Sequence, residues 1–215
     1  MKTILSDQEC SRLDALVVET ENRTGTQIVL SVIQRSDAYE ELPWKAFAMG
    51  ASVSGLLLLL LDWSFCERYA DVSALIMVVV MLASGALSAL LAIMLPRFAK
   101  CFLSGYRSET EVRQYAISLF LERQLFATRN RTGILLLVSL FERRVVILPD
   151  KGVDGRLTDE DIGSIIAVMV PFLKRNEVGR AFNAGVEYLS SILPSSPIDV
   201  VSDELPNEII EEDGI

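Results

Sequence analysis

The sequence predicts an α/β domain with a small mixed sheet, interrupted by a two-helix transmembrane hairpin. Two long apolar runs, Ala46–Leu61 and Val72–Leu95, sit in mid-chain and are joined by a polar link. Short β-branched runs on either side of them, Thr26–Ile33, Ile134–Val138 and Arg144–Leu148, read as strands. Amphipathic stretches at helical spacing fill the remainder.

The apolar runs are taken first. A helix needs about 20 mostly apolar residues to cross a bilayer core. The second run carries no charge before Arg97, and Pro96 marks its end. The first is shorter, but Trp44 and Trp63 bracket it, as aromatic residues do at the two interfaces. From Trp44 to Trp63 a helix rises about 28 Å, close to one core thickness. Both runs are apolar on nearly every face, where a surface helix keeps a polar stripe. Spans are therefore expected at 44–63 and 72–95. The link Asp62–Asp71 holds Arg68 as its only cation, whereas the outer flanks hold Arg35, Lys45, Arg97, Lys100, Arg107 and Arg113. Positive charge stays inside, so both termini are expected to be cytoplasmic. The opening Met1-Lys2-Thr3 leads into a charged amphipathic stretch rather than a signal-peptide apolar region, which agrees. Neither run contains a charged residue, and this argues against transport. Gly50, Gly55, Ser84, Gly85 and Ala89 are small enough to let the two helices approach closely.

Outside the hairpin, Ser6 with Glu9 forms a capping box for a helix over Ser6–Arg23, which Gly25 ends. Thr26–Ile33 follows as a buried strand. Arg97–Tyr106 mixes Phe98, Phe102, Leu103 and Tyr106 with Arg97 and Lys100, an interfacial pattern. Ser108 with Glu111 reads as a second capping box, opening a helix to about Phe126 with Val112, Tyr115, Leu119 and Leu125 inward. Ile134–Val138 is a continuous apolar run, hence a central strand. The link Ser139–Arg143 is too short for a crossover, so Arg144–Leu148 must pair with it antiparallel. Thr158 with Asp161 caps a helix to about Leu173, bent or broken near Pro171. Glu177–Leu193 is the last helix. Ser195–Ile215 contains Pro197 and Pro206, ends in Glu211-Glu212-Asp213 and holds no Lys or Arg, so it reads as an acidic disordered tail. The domain thus divides into 1–43 and 97–194, with the hairpin at 44–96 and the tail at 195–215.

Composition narrows the function. The net charge is −9, which argues against nucleic acid as a partner because that partner demands basic surface. There are no histidines, so Ser-His-Asp and Cys-His catalysis within the chain are excluded. Cys10, Cys66 and Cys101 stand far apart without a CxxC pair, an odd count that suits a reducing compartment better than a disulfide scaffold, and Cys10 and Cys101 read as packing or interfacial residues.

Antiparallel pairing sorts the polar residues. Asp150 ends the second hairpin strand and falls beside Thr128, Arg129, Asn130, Arg131 and Thr132, and Thr26–Ile33 is expected to run parallel to Ile134–Val138, which puts Thr24 and Thr26 at the same end. Asp37, Ser139 and Glu142 fall at the other. Asp150 reads in two ways. It is a metal ligand for Ca²⁺ or Mg²⁺, or acts on a phosphate held by Arg129 and Arg131, whose forks suit that anion. Otherwise it is a turn residue in a salt bridge with Arg129 or Arg131. Arg143 and Arg144 are expected to point to opposite faces, with one pairing to Glu142 or Asp37. Asp159-Glu160-Asp161 is explained by the helix dipole alone.

Gly133–Ser139, Glu142-Arg143-Arg144-Val145, Ile147-Leu148-Pro149-Asp150 and Gly152 together resemble the TPM domain. Thr128-Arg129 and Arg131-Thr132-Gly133 before them, Leu157–Glu160 after, and Thr26–Val29 near the start extend the likeness. That family includes a thylakoid-lumen protein linked to acid phosphatase activity and photosystem repair, and many bacterial membrane-anchored proteins. The resemblance implies a three-layer α/β/α fold and a multi-pass protein of a bacterial inner membrane. Two roles follow: a module that binds or assembles membrane protein partners, or a metal-dependent phosphatase.

Overall fold

A computed structural model describes residues 4–64, 74–194 and 209–214. The polar link beyond Ser64, including Cys66, and most of the acidic tail lie outside the described residues. The chain forms two compact units, one of Met1–Asp37 with Glu109–Ile215, the other Ala38–Ser108.

The first unit begins with α1 (Asp7–Thr24), which opens on the expected box. Ser6 Oγ accepts from Glu9 N, and Glu9 Oε2 accepts from Ser6 N at 3.0 Å. Gly25, at φ 70°, ends the helix in the left-handed region that glycine tolerates best. β1 (Gln27–Arg35), β2 (Gly133–Ser139), β3 (Arg144–Pro149) and β4 (Ile210–Gly214) form one sheet in the order β3-β2-β1-β4. β1 lies parallel to β2 with Ile28 opposite Ile134, and β3 is antiparallel to β2 with Leu136 opposite Ile147. Both pairings are as the sequence requires. β4 is not: Ile210–Gly214 runs parallel to β1 from Ser31 to Arg35, where the sequence reads disordered tail. Glu211 and Glu212 find partners. Glu211 accepts from Ile4 N and Leu5 N at 3.1 and 2.9 Å, and Glu212 accepts from Tyr115 Oη at 2.5 Å.

Strand alternation builds two cores. On one face Ile28, Leu30, Val32, Ile134, Leu136 and Ile147 pack with α1, α7 (Asp159–Leu173) and α8 (Val178–Ile192). On the other, Val29, Ile33, Leu135 and Leu137 meet Val112, Ala116 and Leu119 of α5 (Gly105–Glu122). The unit is therefore a three-layer α/β/α sandwich around a small mixed sheet. Two helices differ from their sequence reading. α5 starts earlier than Ser108, because Ser104 Oγ accepts from Arg107 N and caps it instead. α7 continues through Pro171, in its last turn, to Leu173, so the helix is not broken there.

The second unit holds α2 (Glu41–Ser64), α3 (Ala74–Met94) and the short α4 (Pro96–Ala99). Glu41–Leu61 and Ala74–Met94 are long and apolar enough to cross a membrane by length and composition. Leu56, Leu59, Val79 and Ile93 are exposed, as lipid-facing residues would be. α2 and α3 meet through the small residues. Ser84 Oγ lies 3.2 Å from Gly50 O and 2.6 Å from Ser54 Oγ, within hydrogen-bond reach of both. A Cβ on Gly50 would lie 2.9 Å from the Ser84 carbonyl and closer still to Ser88. Gly50→Ala is therefore expected to weaken the hairpin by about 1 kcal/mol, measured as a lower denaturation midpoint in mixed micelles. An unchanged midpoint would show that the helices are not packed here.

Candidate functional site

The Asp150 end of the sheet assembles much as expected. Residues 128–132 form a tight turn in which Arg131 N donates to Thr128 O and Thr132 N to Thr128 Oγ1, both at 3.0 Å. Gln27 N donates to Thr132 O, so the start of β1 joins this end, with Thr24 and Thr26 hydroxyls 2.7 Å apart. Gly152 N donates to Arg131 O at 2.8 Å, and a Cβ at 152 would collide with the Asn130 and Arg131 carbonyls. Only glycine lets the chain pass so near the turn.

Asp150 is 5% exposed. Its Oδ1 accepts from Lys151 N at 2.8 Å and from Arg131 Nη2 at 3.0 Å. The first bond caps α6 (Lys151–Asp154). Arg131 Nε lies 2.8 Å from Oδ2. That contact is an ion pair without hydrogen-bond alignment, since Oδ2 accepts no hydrogen bond. Of the two arginines proposed for a phosphate, Arg131 is thus committed to Asp150, while Arg129 is exposed on the turn. A hard cation takes about 6–8 oxygen ligands. Among the described residues no three His, Cys, Asp or Glu side chains converge. One carboxylate already held by a guanidinium does not fit Ca²⁺ or Mg²⁺ unless Arg131 moves away.

At the opposite end Glu142 is bound by serines rather than by an arginine. Its Oε1 accepts from Ser36 N and Oγ at 3.0 and 2.7 Å, and its Oε2 accepts from Ser139 Oγ. Sequence reasoning missed Glu21, whose Oε1 accepts from Ile28 N at 2.7 Å. Ile28 lies before the stretch of β1 that β4 pairs with, so the helix side chain satisfies an edge amide there. A buried carboxylate on the inner face of an amphipathic helix was the available signal.

A further concavity runs along the edge of the sheet. β3 is an edge strand, and an open cavity of about 540 Å³ runs along it. Ile162, Ile166, Val170 and Leu173 of α7 form one wall, and Glu109, Val112 and Arg113 of α5 the other. Arg143, Arg144 and Lys174 complete the lining. Arg143 sits in the turn before β3 with φ 56°. It therefore escapes strand alternation, and both arginines reach one groove rather than opposite faces. Arg144 pairs with Glu109 at 3.6 Å, an exposed contact of small energetic value. Arg113, Arg143 and Lys174 form no ion pair among the described residues.

A family model described as the TPM domain matches residues 92–192, which include the turn, β2, β3, α7 and all of α8. The NMR structure of the BA42 protein from the psychrophilic bacterium Bizionia argentinensis is similar at a TM-score of 0.57. The likeness covers 98% of this chain and 97% of that one, at 14% identity, and shows a shared fold. No curated protein matches the chain in sequence. The chain thus carries a TPM domain, matched over residues 92–192.

Proposed function

We propose that the chain is a multi-pass protein of a bacterial inner membrane whose cytoplasmic TPM module binds or assembles a membrane protein partner. The observation that carries this reading is the groove on the sheet edge, with its apolar wall and cationic rim. A binding surface needs those features, and a histidine-free site with no paired nucleophile is poorly equipped for covalent catalysis. The two apolar helices supply the tether to the lipid bilayer. A photo-crosslinker at Arg113, on the groove, should capture a membrane-associated protein from native membranes. The same group at Glu187, exposed on α8, should not. Equal capture at both positions, or none, would remove the reading.

Orientation has its own test. With both termini cytoplasmic, a membrane-impermeant thiol reagent should label Cys66 in spheroplasts and reach Cys101 only after lysis. Labelling of Cys101 first would invert the topology.

A second reading, a metal-dependent phosphatase, draws on Asp150 Oδ2, a buried carboxylate oxygen that accepts no hydrogen bond. It requires that the full chain in micelles release phosphate from a generic ester in the presence of Mg²⁺ or Ca²⁺. Asp150→Asn must abolish that release while the protein stays folded.

A further inference from the structure

We infer that the groove takes an extended peptide segment as a fifth strand on β3, and that this segment alternates apolar and acidic side chains. The inference rests on the partner-binding reading above and names the chemistry of the partner.

The backbone supplies the first half of the argument. Asp150 N donates to Gly133 O, and the ladder sets Leu148 opposite Leu135 and Val146 opposite Leu137. In an antiparallel pair, directly opposed residues alternate between bonded and non-bonded. Residues 144, 146 and 148 therefore bond inward to β2. Val145 and Ile147 turn their N–H and C=O groups outward, along the floor of the cavity. Proteins commonly cover or charge such an edge. Among the described residues no strand pairs with it on that side, and it lies between two helices, the arrangement that strand-addition domains use to capture extended peptides.

Side chains supply the second half. Val145 and Ile147 face the core that includes α7, whereas Val146 and Leu148 face α5. A strand added to β3 would meet the same two walls at alternate positions. Toward α7 it would meet Ile162, Ile166 and Val170, which suit apolar side chains. Toward α5 it would meet Arg113 and Arg144. α7 returns along β3 from a short link, so Lys174 stands at the same end as Arg143. The lining carries four cations against the single anion Glu109, in a protein whose net charge is −9. Positive potential concentrated in one groove of an acidic protein steers an acidic segment there and disfavours a basic one.

The test uses the full chain in detergent micelles, followed by amide NMR. The probe is an end-capped octapeptide alternating Val and Glu, and its control alternates Val and Lys. The expected result is saturable binding of the Glu peptide alone, with exchange of the Val145 and Ile147 amides slowed about tenfold or more. Val145→Pro removes an outward donor without touching the β2 ladder and should weaken binding about tenfold. Arg113→Glu with Lys174→Glu changes only exposed charge and should reverse the preference between the two peptides. Binding in the groove with Val145 and Ile147 exchange unchanged would overturn strand addition. Binding of neither peptide at millimolar concentration, while Arg113 still crosslinks a partner, would overturn this proposal and leave the partner-binding reading standing. Loss of the crosslink as well would end both.

Discussion

Ending the chain after Asn207 is expected to cost the domain about 4 kcal/mol, read as a fall in the urea midpoint in micelles. The estimate is built from β4. Ile210 is 8% exposed and belongs to the core beneath α5, and burial of such a side chain contributes about 2 kcal/mol. The paired Glu211 bonds to Ile4 N and Leu5 N hold the segment ahead of α1. Glu212 receives Tyr115 Oη and also Arg123 Nη2 at 3.1 Å, though that arginine is half exposed and adds little. Truncation would also bare Ser31–Arg35 as a second open edge, so self-association should accompany the loss. Unchanged stability would mean that β4 does not stay docked. The same contacts set a pH dependence. Burial first, then the bond to Glu212, push the Tyr115 phenol well above its ordinary value. A phenol raised in the folded state adds stability that is complete below pH about 10 and drains away as pH rises past it. Tyr115→Phe should therefore flatten the alkaline decline, and so should the truncation.

β4 also shows where sequence reading stops. Parallel β1–β2 pairing and the β2–β3 hairpin were legible because they follow from local apolar runs and from a link too short for a crossover. The caps at Ser6 and Thr158 were legible for the same reason: both partners lie within one helical turn. Glu211-Glu212-Asp213 reads as solvated charge because what makes a strand of it lies far off in the chain, at Ile4, Leu5, Tyr115 and Arg123. Ser104 and Ser108 are both plausible caps by residue type, and backbone geometry chose Ser104. At the site, the meeting of Asp150 with Arg131 was readable from strand register. The groove was not. It depends on Arg143 adopting φ 56°, which takes that residue out of the strand, and on β3 remaining an edge. Neither is written in the spacing of residues along one segment.

Arg131→Gln should destabilise the domain by about 3 kcal/mol, more than Asp150→Asn, which should cost about 1 kcal/mol. The asymmetry follows from burial. Arg131 is 48% exposed and can return to water when Asp150 loses its charge, whereas Asp150 is 5% exposed and cannot. Without Arg131 the carboxylate keeps Lys151 N as its hydrogen-bond donor and stands as a buried, nearly unpaired charge. The double variant should then be more stable than Arg131→Gln alone, because it removes the stranded charge, and a double-mutant cycle in urea measures this coupling. The same pair of variants separates the two roles of Asp150. If the residue serves only as a cap and ion-pair partner, Mg²⁺ or Ca²⁺ at millimolar concentration will leave the wild-type midpoint unmoved. Arg131→Gln, with the Asp150 carboxylate freed, should then gain from the cation, and only that variant. If Asp150 is a cation ligand in the native protein, the wild type itself must be stabilised by the ion through mass action. That stabilisation must vanish in Asp150→Asn.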